Sequence, residues 1–171
     1  MWLPAYAGSV YRASLRDRQL RALFSPGAVL VPVPGSASCS SAPWASLQLA
    51  VALSEVGFTL RVWTGLRRRV AVRKSATAPH AQRPTVRQHF DSFSVTLQPG
   101  AARKFVLIDD VITKGRTLLA ASLRLQVELP PVEISAFALI RTAGLVQHID
   151  HLTQICHGWV RWAGGDARRE P

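Results

Sequence analysis

The stretch KFVLIDDVITKGRTLLAA, Lys104 to Ala121, limits the choice of fold more than any other part of the 171-residue chain. Four apolar residues, Phe105 to Ile108, run straight into two adjacent aspartates, and after a short loop a helical pattern begins at Thr117. A short continuous apolar run bounded by turn residues reads as a buried strand. A strand that leads through a loop into a helix is the repeating unit of a parallel sheet.

The rest of the chain repeats that unit. SLRDRQLRALF, with Leu15, Leu20, Leu23 and Phe24, predicts a short amphipathic helix stopped by Pro26-Gly27. AVLVPVPGS, Ala28 to Ser36, reads as a buried strand that breaks at Pro34-Gly35. WASLQLAVALSEVG has helical length, with Gly57 placed to cap its end. FTLRVW, Phe58 to Trp63, is a strand, and RRRVAVRKS is a candidate for another. Residues 75–90 carry two prolines and little periodicity, which predicts a long mobile loop. SFSVTL alternates as a strand, KFVLIDDV is the strongest strand, and Thr117 to Val127 is the helix after it. Pro130-Pro131 ends that helix, VEISAFALIR is a further buried strand, and the tail from Ala143 finishes in a frayed polar end, GGDARREP. Strands separated by helices predict an α/β domain, mostly parallel, with helices on both faces. Ligands in such sheets sit beyond the carboxyl ends of the strands. Pro34-Gly35 and Asp109-Asp110 both fall there.

Length allows one domain with a proper core. No apolar run of about 18 residues predicts a membrane span, and MWLPAYAGSVYRASLRDRQLR lacks the charge and hydropathy pattern of a secretory signal. Two cysteines, Cys39 and Cys156, make no disulfide framework, so a reducing cytoplasm is the expected compartment. The formal net charge is +11, and 18 of the 21 basic residues are arginine. Such a balance suits an anionic small ligand or a nucleic acid, and equally a compositional bias toward arginine and alanine.

The chemistry concentrates in the aspartate loop. Asp109 and Asp110 leave the strand on opposite faces, yet at its tip both can reach a ligand lying across the end. Two carboxylates suit vicinal hydroxyls or a divalent metal. Thr113, Lys114, Gly115, Arg116 and Thr117 then supply hydroxyls, two cations, a sharp turn and backbone N–H groups opening a helix, which together cradle an anion. A diol on one side and a phosphate on the other describe a ribose 5-phosphate. The magnesium strand of a nucleoside triphosphatase would need a Gly-Lys loop, and that dipeptide is absent. The plainer reading is a carboxylate pair that caps a helix, with the arginines as counter-charges.

FVLIDDVITKGRT resembles the signature of the type I phosphoribosyltransferases: four apolar residues, two acids, two apolar residues, then T-x-G-x-T. VLVPVPGS is similar to that family's first strand and pyrophosphate loop, and VEISAFALIRT to its next strand. VRKSATAPHAQRPTVRQHFDSFSV resembles the flexible-loop region of the competence protein ComF and its orphan relatives. The resemblance covers about residues 28–142. It implies a parallel sheet with a variable hood, here from the termini (1–25 and 143–171), and binding of 5-phosphoribosyl 1-pyrophosphate (PRPP) with magnesium (Mg2+). It implies a reaction in which a nucleobase or amine displaces pyrophosphate at the anomeric carbon. Asp109 and Asp110, the catalytic pair, would hold the ribose hydroxyls. Thr113 to Thr117 would hold the 5-phosphate, within a PRPP-binding run that includes Val111 and Ile112. Pro34, Gly35 and Ser36 would form the pyrophosphate loop. Arg73 and Lys74 are candidates to close over the leaving group.

Two other readings stay open: a PRPP- or nucleotide-binding regulator, and a ComF-like accessory of DNA uptake or processing that binds single-stranded DNA. A homodimer is an expected assembly. The pyrophosphate-loop region PGSASCSSAP contains no lysine or arginine. In the tail, His148, Asp150, His151, Cys156 and His157 cluster, either as metal ligands or as part of the hood. Trp159 and Trp162 suit stacking on a base or apolar packing. His80, His89 and Cys39 carry no catalytic mark.

Overall fold

The computed structural model describes residues 3–37, 44–58, 60–73, 82–96, 100–129, 131–142 and 154–170. In chain order the elements begin with α1 (Leu3–Ser14), α2 (Arg18–Leu23), β1 (Ala28–Pro32), α3 (Ala45–Leu53), a π turn (Ser54–Phe58), β2 (Arg61–Val62) and β3 (Leu66–Arg68). There follow α4 (Val86–Ser92), β4 (Phe93–Val95), β5 (Lys104–Ile112), α5 (Arg116–Glu128), β6 (Glu133–Arg141), β7 (Trp159–Ala163) and β8 (Asp166–Glu170).

Four strands form one all-parallel sheet in the order β2-β1-β5-β6. The central pair explains the apolar runs: both are flanked on each side by another strand and covered on each face. Strand alternation sends Phe105 and Leu107 of β5 to one face and Val106 and Ile108 to the other. The first face is covered by α4, α5 and the small antiparallel pair β3-β4, through Val86, Phe93, Leu118, Ala121, Leu125 and Leu66. The second is covered by α1, α2 and α3, through Ala7, Val10, Leu20, Leu49 and Leu53. Each fully buried aliphatic or aromatic side chain contributes roughly 1.5–3 kcal/mol relative to exposure, so β5 anchors both layers. The fold is α/β with helices on both faces, as the sequence predicts.

Several local expectations are corrected. The loop expected over residues 75–90 does not run through to its end, because α4 occupies Val86–Ser92. Its N-terminus is a capping box: the Thr85 hydroxyl accepts from Gln88 N–H, and the Gln88 side chain accepts from Thr85 N–H. The expected strand from Phe58 to Trp63 shrinks to Arg61–Val62, since Phe58 belongs to the π turn that continues α3. Of the strand expected in RRRVAVRKS only Arg67 and Arg68 are extended: they belong to β3, which pairs antiparallel with β4 outside the main sheet, and residues 69–73 are not strand. β6 is half-exposed rather than buried, because among the described residues it is an outer strand with a neighbour on one side only. The frayed end is instead a hairpin, β7-β8. Its two-residue turn, Gly164-Gly165, has φ of +59° and +80°, the paired positive values that match the twist of hairpin strands.

Candidate functional site

Parallel pairing of β1 with β5 puts the two suspected loops side by side. Pro32 lies opposite Ile108, and Val33 N–H donates to the Ile108 carbonyl at 2.9 Å. The next residues on one strand are Pro34, Gly35 and Ser36, and on the other Asp109 and Asp110. Neighbouring strands run about 4.8 Å apart, so the loop and the acids share one edge of the sheet. Trp44 and Ser46 at the start of α3 both donate to the Val33 carbonyl and fix where the first loop departs.

Asp109 and Asp110 are both half-buried. The Asp110 N–H donates to Asp109 Oδ1 at 3.0 Å. Burial, then the side-chain hydrogen bond and charge of Asp110, push the Asp109 carboxyl well above the usual carboxylate range, while the Asp110 N–H and the field of Arg68 pull the other way. Asp109 therefore holds a proton more readily than a free aspartate. Positive charge arriving beside it would favour the carboxylate again.

Beyond β5, Thr113 and Lys114 are exposed, Arg116 and Thr117 are half-buried, and Gly115 is buried. Gly115 is the N-cap of α5 with φ +83°, and a Cβ there would stand 2.7 Å from Val160 Cγ1. Both conditions demand glycine. Val160 belongs to the C-terminal hairpin, which is seated on this loop. Asp166 of β8 accepts from Arg116 Nε at 2.6 Å and from its second terminal nitrogen, and Lys114 Nζ stands 3.9 Å from the same carboxylate. Arg169 donates to the carbonyls of Ile112 (3.3 Å) and Thr142 (2.8 Å). The Arg116 guanidinium, followed by burial acting the other way, holds Asp166 below its ordinary range. Both loop cations thus already face an internal carboxylate.

Two residues near the loops escape the sequence reading. Arg68, at the end of β3, is only 4% exposed. Its guanidinium donates to the Gly35 carbonyl, the Pro34 carbonyl (3.3 Å) and Ser92 Oγ, and lies 4.2 Å over the Phe93 ring. Burial lowers its pKa to about 10 despite the charge of Asp109. It is hidden in an arginine triplet, Arg67 to Arg69, whose other two members are exposed. His89, expected in a loop, sits buried on α4 with Nε2 3.5 Å from Thr117 Oγ1. Burial, then Arg68 and Arg116, lower its pKa to about 4, so it packs as a neutral ring.

The remaining candidates divide. Arg73 bonds to Gln82, and Val72 N–H donates to the Ser36 carbonyl at 2.9 Å, so the Arg73 segment borders the first loop. A cavity of about 560 Å³ opens between residues 70–73 and α4. Lys74, His80, Cys39, His148, Asp150 and His151 lie outside the described residues. His157 bonds to Asp17 at 2.8 Å, and Cys156 is exposed. Among the described residues no three His, Cys, Asp or Glu side chains converge as metal ligands. Trp159 is 77% exposed and Trp162 is 53% exposed. Among the described residues no helix is long and apolar enough to cross a membrane. No protein-family model matches the chain, and no curated protein matches it.

Proposed function

We propose that this protein binds PRPP with magnesium and transfers the phosphoribosyl group to a nucleobase or amine, in the manner of the type I phosphoribosyltransferases and nearest to their ComF-like members. One observation carries this reading. The turn Pro34–Ser36, the acids Asp109 and Asp110, and the loop opening α5 line one sheet edge in the order a diphosphate, a ribose and a 5-phosphate would need. In the reaction the acceptor nitrogen forms a bond to the anomeric carbon as the bond to the pyrophosphate oxygen breaks. Positive charge grows on the sugar meanwhile, and the adjacent carboxylates stabilise it. A rising positive charge also works against the upward push of burial on the Asp109 carboxyl, favouring its charged form.

The donor set fits magnesium. Asp109 and Asp110 offer hard oxygens, and an octahedral ion would complete its shell from ligand oxygens and water. When bound, the ion would neutralise the departing pyrophosphate. Lys114 and Arg116 would serve the 5-phosphate, which must displace or share them with Asp166. That same contact favours a second reading, a PRPP or nucleotide sensor in which ligand binding moves the hairpin and no transfer follows.

Calorimetric titration of PRPP with and without magnesium tests both. Magnesium-dependent binding, lost in Asp109→Asn/Asp110→Asn while the fold persists, is the expected result. Pyrophosphate release with an acceptor then separates enzyme from sensor. Equal PRPP affinity in the double variant would refute the site.

A further inference from the structure

We infer that Arg68 is the positioning residue for the Pro34–Ser36 turn, and that it makes this turn a diphosphate-binding nest although PGSASCSSAP contains no cation. The inference deepens the proposed function and rests on it. A peptide unit is planar and trans, so its C=O and N–H point in opposite directions. The carbonyls of Pro34 and Gly35 are both turned onto the Arg68 guanidinium. The N–H groups in those same two peptide planes, of Gly35 and Ser36, therefore both point away from Arg68. Two successive amides aimed the same way form an anion-binding concavity.

The guanidinium cannot easily leave this post. Its remaining arm is held by Ser92 Oγ, and its face rests on Phe93, its cross-strand partner in the β3-β4 pair. Ser92 in turn donates to the His89 carbonyl at 2.6 Å, which ties the clamp to α4. Among the described residues no carboxylate lies within ion-pair distance of Arg68, and the charge of Asp109 reaches it only from farther off, so Arg68 can still attract an anion that occupies the turn. A buried cation lacking a carboxylate partner is costly to maintain. An anion at the Gly35 and Ser36 amides would relieve that cost. The cation missing from the loop is thus supplied from β3, one layer behind it.

Arg68→Lys keeps the charge but cannot reach two carbonyls and a hydroxyl in one plane. Magnesium pyrophosphate and ribose 5-phosphate are titrated separately into the wild type and the variant, with urea unfolding alongside. The expected result is a loss of about tenfold or more in pyrophosphate affinity, the equivalent of one charge-assisted hydrogen bond. Ribose 5-phosphate should stay within about twofold, since it would use the other loop. If both ligands weaken together, or neither does, Arg68 is only a structural residue and the inference fails. If Arg68→Lys does not fold, Ser92→Ala loosens the same clamp with the charge intact and must show the same selective loss. A wild type that binds neither ligand would instead overturn the proposed function itself, before any variant is compared.

Discussion

Replacing Asp166 by asparagine separates what the hairpin contributes to stability from what it withholds from a ligand. The pair it forms with Arg116 is two-pronged, with side chains 17% and 30% exposed, and Lys114 adds a weaker attraction at 3.9 Å. Fully exposed pairs contribute about 0.2–1 kcal/mol, and hydrogen bonds to charged groups about 1.5–3 kcal/mol. Partial exposure places this one at about 1–2 kcal/mol, and Asp166→Asn should lower the unfolding free energy by that amount. The same energy opposes any phosphate that needs the Arg116 guanidinium. Its removal should therefore strengthen binding of ribose 5-phosphate by about 5–30-fold. Calorimetry on both proteins, with urea melts at pH 7, measures the two numbers. A variant that is less stable but binds no more tightly would refute the idea that Asp166 and the phosphate compete for one site. The pH dependence has a fixed sign. Asp166 is held below its ordinary value of 3.8, so its stabilising contribution is complete above that value and disappears as pH falls through the lower folded one. Asp166→Asn should flatten that acid limb.

Asp109 has the opposite sign: its folded pKa is raised, so the wild type should lose stability as pH climbs from the ordinary value of 3.8 through the folded one. Asp109→Asn should remove that slope and match or exceed wild-type stability at pH 8 in urea melts, while losing affinity for a ribose diol. Gly115→Ala meets both an αL penalty of about 1–2 kcal/mol and the Val160 side chain at 2.7 Å. Overpacking adds about 1–3 kcal/mol, and the double variant with Val160→Ala should recover the packing share only. Thr85→Ala should cost about 0.5–2 kcal/mol through loss of the capping box.

The sheet was legible because its strands announce themselves. Phe105 to Ile108 and Ala28 to Val31 are buried on both faces, and residues of that kind cannot be polar. The placing of Asp109-Asp110 beside Pro34-Gly35 also followed, but the expected strand end did not: β5 continues past the acids to Ile112 along β6, and they lie beyond the pairing only on the β1 side. Other features carry short signals in the sequence. Thr85-x-x-Gln88 spells a capping box, and Gly164-Gly165 between two short strands spells a hairpin. α1 was missed as a helix because its stripe is mild, carried by Ala7 and Val10 rather than by large apolar residues. Arg68 was illegible for a different reason. Three adjacent arginines look alike in sequence, and only tertiary packing puts the middle one under the Pro34–Ser36 turn. The Asp166–Arg116 pair spans 50 residues, beyond the reach of any local pattern.

Two tryptophans belong to the segments that border the two loops. Trp44 bonds through its indole N–H to the Val33 carbonyl, and its Cβ lies 3.7 Å from where a side chain on Gly35 would begin. Trp159 adjoins Val160, the residue pressed against Gly115. Trp44 emission therefore answers to the first loop. That of Trp159, which leaves β7 on the face opposite Val160 and is 77% exposed, answers to movement of the hairpin seated on the second. With the other indoles replaced by phenylalanine, a chain keeping Trp44 alone and another keeping Trp159 alone would act as two optical reporters on one molecule. Stopped-flow traces from the pair would time the arrival of a ligand at each loop and reveal which end it touches first.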